Sequence, residues 1–357
     1  MKSEVIIADT TRHPVAIETK TRPADLSTVY FVDKENGWVG GAHAVLRTSD
    51  AGSSWEQVNL DLPAGAEVAA INFANSNSGW VVAQEVPLDK LNYLENRYWL
   101  FHTTDSGATW HLQHEGDGIR ITKVRFINEQ QGWMTGCRYL GLEPYRFSNF
   151  VMWTTDGGSH WLDLSDRLTQ QNEDKRITND IVTDINLRNS SETLLLTGKG
   201  RLLKTEDHGQ SWQQITLDVD EWGWPFYTRL GVTVAGNHWF IGSSDSSRGN
   251  WGILLMEEKE RWIRYSLDGV LLSDATILNE GILACGSIVD RNNNKRQGVV
   301  LQSSNGGNTW SVIYRSSIAT RINALLSVGA DIYGVGDKGL IVRLQNASQV
   351  ASQTAAP

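Results

Sequence analysis

The feature that most constrains this chain is a short turn motif that recurs at intervals of about 50 residues. It reads Thr/Ser-x-Asp-x-Gly-x-Ser/Thr-Trp, with Asn in place of Asp in the last copy and His160 at the hydroxyl position of the third. The acid or amide and the tryptophan of the five copies are Asp50 and Trp55, Asp105 and Trp110, Asp156 and Trp161, Asp207 and Trp212, and Asn305 and Trp310. Trp262 stands midway in the one double-length gap. Such a period indicates stacked copies of one supersecondary unit.

Local chemistry predicts a structural role for the motif. Its glycine allows a backbone conformation that is costly for other residues, and its carboxylate can accept hydrogen bonds from turn amides. The tryptophan can pack beneath the turn. Calcium needs six to eight oxygen ligands, and one carboxylate per turn falls well short of that. We therefore predict folding turns here, and no metal site.

Each motif is preceded by a strand, a polar turn and a second strand that opens with Gly-Trp, as in Phe126 followed by Gly132-Trp133. The pattern in each unit thus predicts four strands, which we label A to D in chain order. After Trp310 only three strands remain, at 321–327, 331–336 and 339–344. An N-terminal strand, either Val5–Ile7 or Val15–Glu18, is expected to supply the fourth and hide a sheet edge.

The predicted fold is therefore all-β, a seven-bladed β-propeller of four-stranded antiparallel blades whose last blade is closed by an N-terminal strand. The 357 residues divided by seven blades give 51, which matches the repeat. We expect residues 1–344 to form one domain and residues 345–357, rich in Ala, Ser and Gln, to form a flexible tail.

The turn motif is identified as the Asp-box, or BNR repeat. Its pairing with the Phe…Gly-Trp-x-x-Gly element at this period resembles the photosystem II stability/assembly factor family over nearly the whole chain. The resemblance implies a non-enzymatic propeller scaffold that holds an assembly intermediate of a membrane complex, partly through an Arg-rich surface.

Asp-boxes also occur in sialidases and some endoglucanases, so a glycan-binding or glycoside-hydrolase propeller is the alternative function. Sialidases need an Arg-Ile/Leu-Pro segment, and Thr21-Arg22-Pro23 lacks the middle residue. A hydrolase needs two facing carboxylates. Four acidic residues in loops are candidates for that pair: Glu85, Asp89, Glu143 and Glu221. The sequence favours a non-enzymatic protein.

Charge and composition narrow the range of possible partners. The net charge of −9 argues against binding to nucleic-acid backbones. No apolar run approaches the length of a membrane span, and no signal peptide is visible, so the chain as written is expected to be cytoplasmic, or exported if a signal was removed. Cys137 and Cys285 are expected to be buried free thiols. We expect a monomer without a cofactor.

The long insertions place the predicted binding surface on one face. In a propeller the Asp-boxes are C–D loops, and the D–A and B–C loops lie on the opposite face, where the insertions at 85–98, 138–147, 220–227, 243–250 and 290–296 fall. They are rich in Tyr, Trp and Arg, the residue types enriched at interface hot spots. The predicted partner- or ligand-binding residues are Tyr93, Arg97, Tyr98, Arg138, Tyr139, Tyr145, Arg146, Trp222, Trp224, Arg248, Arg291 and Arg296. These loops could bind a protein partner or a small glycan, or their aromatic side chains could simply pack the loops onto the propeller.

Overall fold

The computed structural model describes most of the chain. The described residues are 2–4, 6–9, 14–20, 24–85, 96–142, 145–168, 180–189, 191–215, 217, 226–233, 236–246, 249–258, 261–278, 281–290 and 295–345. Within these ranges the chain is almost wholly β, with two short 3₁₀ turns at Ser165–Leu168 and Asp337–Gly339. No helix in the described ranges has the length and apolar character needed to cross a membrane.

The strands form seven sheets, each built on four antiparallel strands, which confirms the predicted seven-bladed β-propeller. The N-terminal strands are β1 (Lys2–Glu4), β2 (Ile6–Asp9) and β3 (Val15–Lys20). Blade 1 comprises β4 (Leu26–Phe31), β5 (Gly37–Gly41), β6 (Ala44–Thr48) and β7 (Glu56–Gln57). Blade 2 comprises β8 (Ala66–Phe73), β9 (Gly79–Glu85), β10 (Tyr98–Thr103) and β11 (His111–Gly116). Blade 3 comprises β12 (Ile119–Phe126), β13 (Gly132–Leu142), β14 (Tyr145–Thr154) and β15 (Leu162–Asp163).

The remaining blades follow the same order. Blade 4 comprises β16 (Val182–Leu187), β17 (Thr193–Thr197), β18 (Leu202–Thr205) and β19 (Gln213–Ile215). Blade 5 comprises β20 (Phe226–Val232), β21 (His238–Ser246), β22 (Gly249–Glu258) and β23 (Arg261–Asp268). Blade 6 comprises β24 (Val270–Leu278), β25 (Gly281–Val289), β26 (Arg296–Ser303) and β27 (Thr309–Arg315). Blade 7 comprises β28 (Ile322–Val328), β29 (Asp331–Gly336) and β30 (Leu340–Gln345), and β3 joins it.

The chain divides into two compact units. The first unit consists of Met1–Val39, Thr48–Ser54 and Asp218–Pro357, and it contains blades 5 to 7. The second unit consists of Gly40–Arg47 and Trp55–Leu217, and it contains blades 2 to 4. That residues 1–344 form one domain stays a prediction. Gln345, the first residue of the predicted tail, is the last residue of β30, and residues 346–357 lie outside the described ranges.

An N-terminal strand closes blade 7, as predicted. Of the two segments that the sequence offered, the second takes this place: β3 pairs antiparallel with β30, with Val15 opposite Gln345 and Lys20 opposite Leu340. The earlier strands pair elsewhere, β1 in parallel with β23 of blade 5 and β2 in parallel with β27 of blade 6. Blades 5 and 6 therefore carry a fifth strand.

Close ring packing explains why Phe and Gly-Trp recur together. In blade 3 a Cβ placed on Gly132 would lie 2.5 Å from a ring carbon of Phe126, so only glycine lets the ring lie flat on the start of the next strand. The same approach measures 2.3 Å between Gly79 and Phe73 in blade 2. The tryptophan that follows the glycine is fully buried, as Trp80 and Trp133 show.

Neighbouring blades in the second unit are joined by this buried tryptophan. Trp80 of blade 2 stacks on Phe126 of blade 3, with ring centroids 3.5 Å apart and an interplanar angle of 5°. Its indole Nε1 donates a hydrogen bond to the carbonyl of Gly157, in the Asp-box of blade 3, at 3.0 Å. The contact ties the strand motif of one blade to the turn motif of the next.

The Asp-box turns are held by their own polar side chains. In blade 2 the carboxylate of Asp105 accepts hydrogen bonds from the Thr109 hydroxyl at 2.6 Å, the Thr109 amide at 2.9 Å and the Thr103 hydroxyl at 2.7 Å. The Gly107 amide donates to the Thr103 hydroxyl at 2.9 Å. The turns at Asp50, Asp156 and Asp207 repeat the pattern, with the His160 imidazole replacing the hydroxyl in blade 3.

Asparagine keeps the turn of blade 6 intact. The Asn305 side-chain oxygen accepts from the Thr309 amide at 2.9 Å, and its amide nitrogen donates to the Thr309 hydroxyl at 2.9 Å. The box tryptophans pack at these turns: Trp212 and Trp310 are buried, and Trp55, Trp110 and Trp161 are half-buried. The indole of Trp310 donates to the Gly307 carbonyl at 3.0 Å.

We expect Gly132→Ala to lower the free energy of unfolding by about 1–3 kcal/mol, because the added methyl group must displace the Phe126 ring from a packed core. Gly141→Ala is the matched control, since a Cβ there would first meet the Arg146 guanidinium at an ordinary 3.6 Å. Urea unfolding followed by tryptophan fluorescence measures both variants. Equal stability of the two variants would contradict the packing argument.

The boxes also predict acid sensitivity. Hydrogen bonds from Thr109 and Thr103 lower the pKa of Asp105 to about 2, and hydrogen bonds from Ser54 and Thr48 lower the pKa of Asp50 to about 2. A pKa below the unfolded value of about 3.9 gives stability that is complete above that value and is lost as the pH falls through about 2.

We therefore expect Asp105→Asn, which copies the natural turn at Asn305, to flatten the loss of stability between pH 4 and pH 2. Urea unfolding of both proteins at several pH values in this window measures the slope. Identical slopes for the variant and the wild type would show that the Asp105 carboxylate does not contribute.

Candidate functional site

The candidate site lies in the second unit, at the end of blade 3 where β12 begins and β13 ends. The structure corrects one expectation here, because residues 138–142 and 145–148 extend the pairing of β13 with β14, where the sequence predicts a loop. Arg138 lies opposite Ser148, and Gly141 lies opposite Arg146. In blade 5 the pairing of β21 with β22 likewise continues through residues 243–246 and 249–252, with Ser246 opposite Gly249. Strand pairing satisfies backbone groups that a loop would have to expose to water.

Two arginines at this end are held over aromatic rings and paired with carboxylates. The Arg97 guanidinium lies 5.4 Å from the Trp99 ring centroid and contacts Glu115 at 2.8 Å between Nη2 and Oε2. The Arg138 guanidinium lies 5.2 Å from the Phe150 ring centroid and contacts Asp163 at 2.6 Å. Both remain partly exposed. Stacking and pairing fix the direction in which each guanidinium points.

The surroundings of Asp163 keep its carboxyl group ionised beside Arg138. Burial opposes its ionisation, but hydrogen bonds from Ser165 and Arg138 outweigh that effect and keep the pKa of the carboxyl below its ordinary value. The carboxylate is therefore charged at neutral pH and anchors Arg138.

Two further arginines at this end are exposed. Arg120 lies opposite Cys137 near the start of β12, and Arg146 lies near the start of β14. Neither guanidinium forms an ion pair within the described part of the chain. Leu140, near the end of β13, is 47% exposed. We call the set Arg97, Arg120, Arg138, Leu140 and Arg146 the arginine patch.

Blades 2 and 3 are locked together beside the patch. The Asn96 side chain, next to Arg97, donates to the Ile119 carbonyl at 3.3 Å, and the Ile121 amide donates to the Gln84 side chain at 2.9 Å. The buried side chains of Asn96 and Gln84 therefore fix the start of β12 against blade 2. The patch is built on this rigid junction.

Sequence reasoning missed Arg120 and Leu140. Arg120 is the first exposed residue of the strand that follows the turn Gly116-Asp117-Gly118. A charged residue just after such a turn is a signal of exposure that the sequence contains. Leu140 lies in a run that the sequence predicts to be a loop, where a single leucine carries no information about exposure.

Two of the predicted tyrosines are buried packing residues. Tyr98 is 1% exposed, its ring stacks on His114, and burial raises its pKa to about 12. Tyr139 is 7% exposed. Neither hydroxyphenyl group offers a partner much surface.

The other predicted site residues fall elsewhere. Tyr145 is the first residue of β14, where its backbone pairs with Leu142. Arg296 is half-buried at the start of β26, in the first unit. Five predicted residues lie outside the described ranges: Tyr93, Trp222, Trp224, Arg248 and Arg291.

The described residues include no cluster of His, Cys, Asp and Glu that could hold a metal ion. Of the four candidate carboxylates only Glu85 is described, and it accepts a hydrogen bond from the Arg97 amide at 3.0 Å. Asp89, Glu143 and Glu221 lie outside, so the glycan alternative stays a prediction. Cys137 and Cys285 are buried and free, as predicted, and burial raises the pKa of the Cys137 thiol to about 11.

Comparison with known proteins finds similarity to photosystem II assembly factors over part or most of the chain. The family model "Photosynthesis system II assembly factor YCF48" matches residues 7–112. A curated relative, the photosystem II assembly lipoprotein Ycf48 of Synechococcus sp. (strain CC9902), is 22% identical over 306 residues, covering 83% of this chain and 76% of the relative.

Solved structures share the fold at low identity. The structure described as YCF48 bound to D1 peptide superposes with a TM-score of 0.65 at 18% identity, covering 96% of this chain and 98% of that one. YCF48 from Cyanidioschyzon merolae gives 0.61 at 14% identity, covering 92% and 98%. A GH74 enzyme of Niastella koreensis gives 0.63 at 14% identity, covering 93% of this chain and 53% of that one. These structural likenesses show the fold alone. From its repeats, its blades and its sequence relatives together, the chain is a seven-bladed Asp-box β-propeller that resembles the photosystem II stability/assembly factor family.

Proposed function

We propose that this chain is a non-enzymatic assembly scaffold that binds a protein partner through the arginine patch. The observation that carries the proposal is the exposure of Arg120, Leu140 and Arg146 at one end of the paired strands of blade 3. Exposed cationic and apolar groups on a rigid element are the combination that protein interfaces use.

The chemistry of the patch suits a peptide segment. Guanidinium groups recognise carboxylates and backbone carbonyls through several parallel hydrogen bonds. Arg97 and Arg138 are already oriented by Trp99 and Phe150, so less conformational freedom is lost when a partner binds them. The chain is acidic overall, with a net charge of −9, and it therefore repels polyanions in general. The local cationic patch instead favours a partner that carries acidic groups at the matching positions.

The relatives suggest the finer identity of the partner. The curated relative is named as a photosystem II assembly lipoprotein, and one solved propeller of the same fold is described as bound to a D1 peptide. We propose for this chain a partner of the same kind, an extended segment of a membrane-complex subunit during assembly. The lipoprotein name of the relative favours the exported alternative for this chain over the cytoplasmic one.

The test is binding of a fluorescently labelled D1 peptide to the full chain, followed by anisotropy. We expect the double substitution Arg120→Ala with Arg146→Ala to weaken binding at least tenfold, which corresponds to about 1.4 kcal/mol. Binding should also weaken as salt is raised from about 50 to 300 mM, because exposed charges are screened.

The matched control removes two positive charges elsewhere, Arg261→Ala with Arg315→Ala, both exposed on blades 5 and 6. This control should bind like the wild type. Equal loss in the two double variants would mean that net charge and not the patch governs binding. Unchanged affinity in the Arg120/Arg146 variant, with an unchanged melting temperature, would refute the patch as the binding surface.

A further inference from the structure

The outer strands of the blades differ in length. In the second unit, β15 has two residues and β19 has three, and short edge strands leave few open hydrogen-bonding groups. The six-residue β11 is interrupted by a bulge opposite Leu100 and Phe101. In the first unit the outer antiparallel strands are longer, with eight residues in β23 and seven in β27. The bulge of β27 falls at Ile313, beyond the residues 309–312 that pair with β2.

Each of these two long edges is covered by a short parallel strand from the N-terminal segment. Lys2 pairs with Arg264 and Glu4 with Ser266 on β23. Ile6 pairs with Thr309 and Asp9 with Val312 on β27. Within each blade every other strand pair is antiparallel, so the parallel strand is an addition to a finished four-stranded sheet.

The covering segment is held separately from the strand that closes blade 7. That strand, β3, pairs along its full length with β30. Its Glu18 carboxylate also accepts hydrogen bonds from the Tyr314 hydroxyl at 2.5 Å and the Ser317 hydroxyl at 3.3 Å. Blade 7 therefore keeps its fourth strand when β1 and β2 leave their edges.

We propose that the outer edges of β23 and β27 form a binding site for an extended strand in parallel orientation, and that residues 2–9 of the chain are its exchangeable resident occupant. Only three residues of β1 and four of β2 pair with these edges. Such short pairing persists because the segment is tethered beside its site, which gives it a high effective concentration. Once the segment is removed, an untethered strand of the same sequence can take the same place by backbone pairing.

The experiment uses a variant that lacks residues 1–9 and keeps β3, together with a labelled synthetic peptide of residues 1–9. We expect the peptide to bind the shortened chain at least tenfold more tightly than the full chain, whose site is already occupied. Amide hydrogen exchange should show faster exchange in β23 and β27 of the shortened chain, reversed by the peptide. A melting transition and a circular dichroism spectrum like those of the full chain establish that the variant is folded.

Two altered peptides separate backbone pairing from side-chain packing. Since consecutive amides of a strand point to opposite sides, Ile6→Pro with Ile7→Pro removes the donor that faces β27. That peptide should fail to bind, and the matched peptide with Ile6→Ala and Ile7→Ala should still bind. Binding of the proline peptide, equal binding of the unaltered peptide to both proteins, or no binding to the shortened chain would each overturn the proposal.

Discussion

A contact that occurs between two pairs of neighbouring blades holds the described structure together, in that an aromatic residue of the second strand in one blade reaches the Asp-box of the next blade. Trp80 does this by stacking on Phe126 and donating to the Gly157 carbonyl. In the first unit Tyr333 takes the same place: it lies 4.2 Å from the Phe31 ring and donates to the Ala51 carbonyl at 2.9 Å. The contact combines stacking of the rings with a hydrogen bond from a buried donor. If the donor or the carbonyl acceptor is lost, the other group is left without its hydrogen bond, which costs free energy.

This contact explains why the conspicuous residues of the sequence are structural. The box carboxylate is surrounded by hydrogen-bond donors of its own turn, as the low pKa of Asp105 reflects. The tryptophan of the Gly-Trp element is fully buried in blades 2 and 3. The residues available for binding are those that depart from the repeat, chiefly the residues of the extended β13–β14 hairpin.

Part of the fold could be predicted from the sequence because the motifs that indicate it are local. The recurring turn with its tryptophan fixes the hairpins, and the leftover three strands require a fourth from the N-terminal segment. Which N-terminal strand closes blade 7 could not be predicted, since Val5–Ile7 and Val15–Glu18 are both short apolar runs. The long pairing of β3 with β30 decides it, because that pairing satisfies more backbone groups. The candidate site was harder still: Arg97, Arg138 and Arg146 were predicted, but Tyr98 and Tyr139 are buried.

The sequence by itself determined the blade, the number of blades and the chemistry of each Asp-box turn. Each turn depends on residues within about ten positions of one another, and the number of blades follows from the recurrence of the turn about every 50 residues. Only the tertiary structure decided which side chains of the long hairpins face solvent. Side chains alternate along a strand, so the register of the β13–β14 pair buries Tyr139 and exposes Leu140. The same holds for the pairing of β1 and β2 with blades 5 and 6, since a parallel strand is brought to its edge by contacts distant in sequence and not by its own composition.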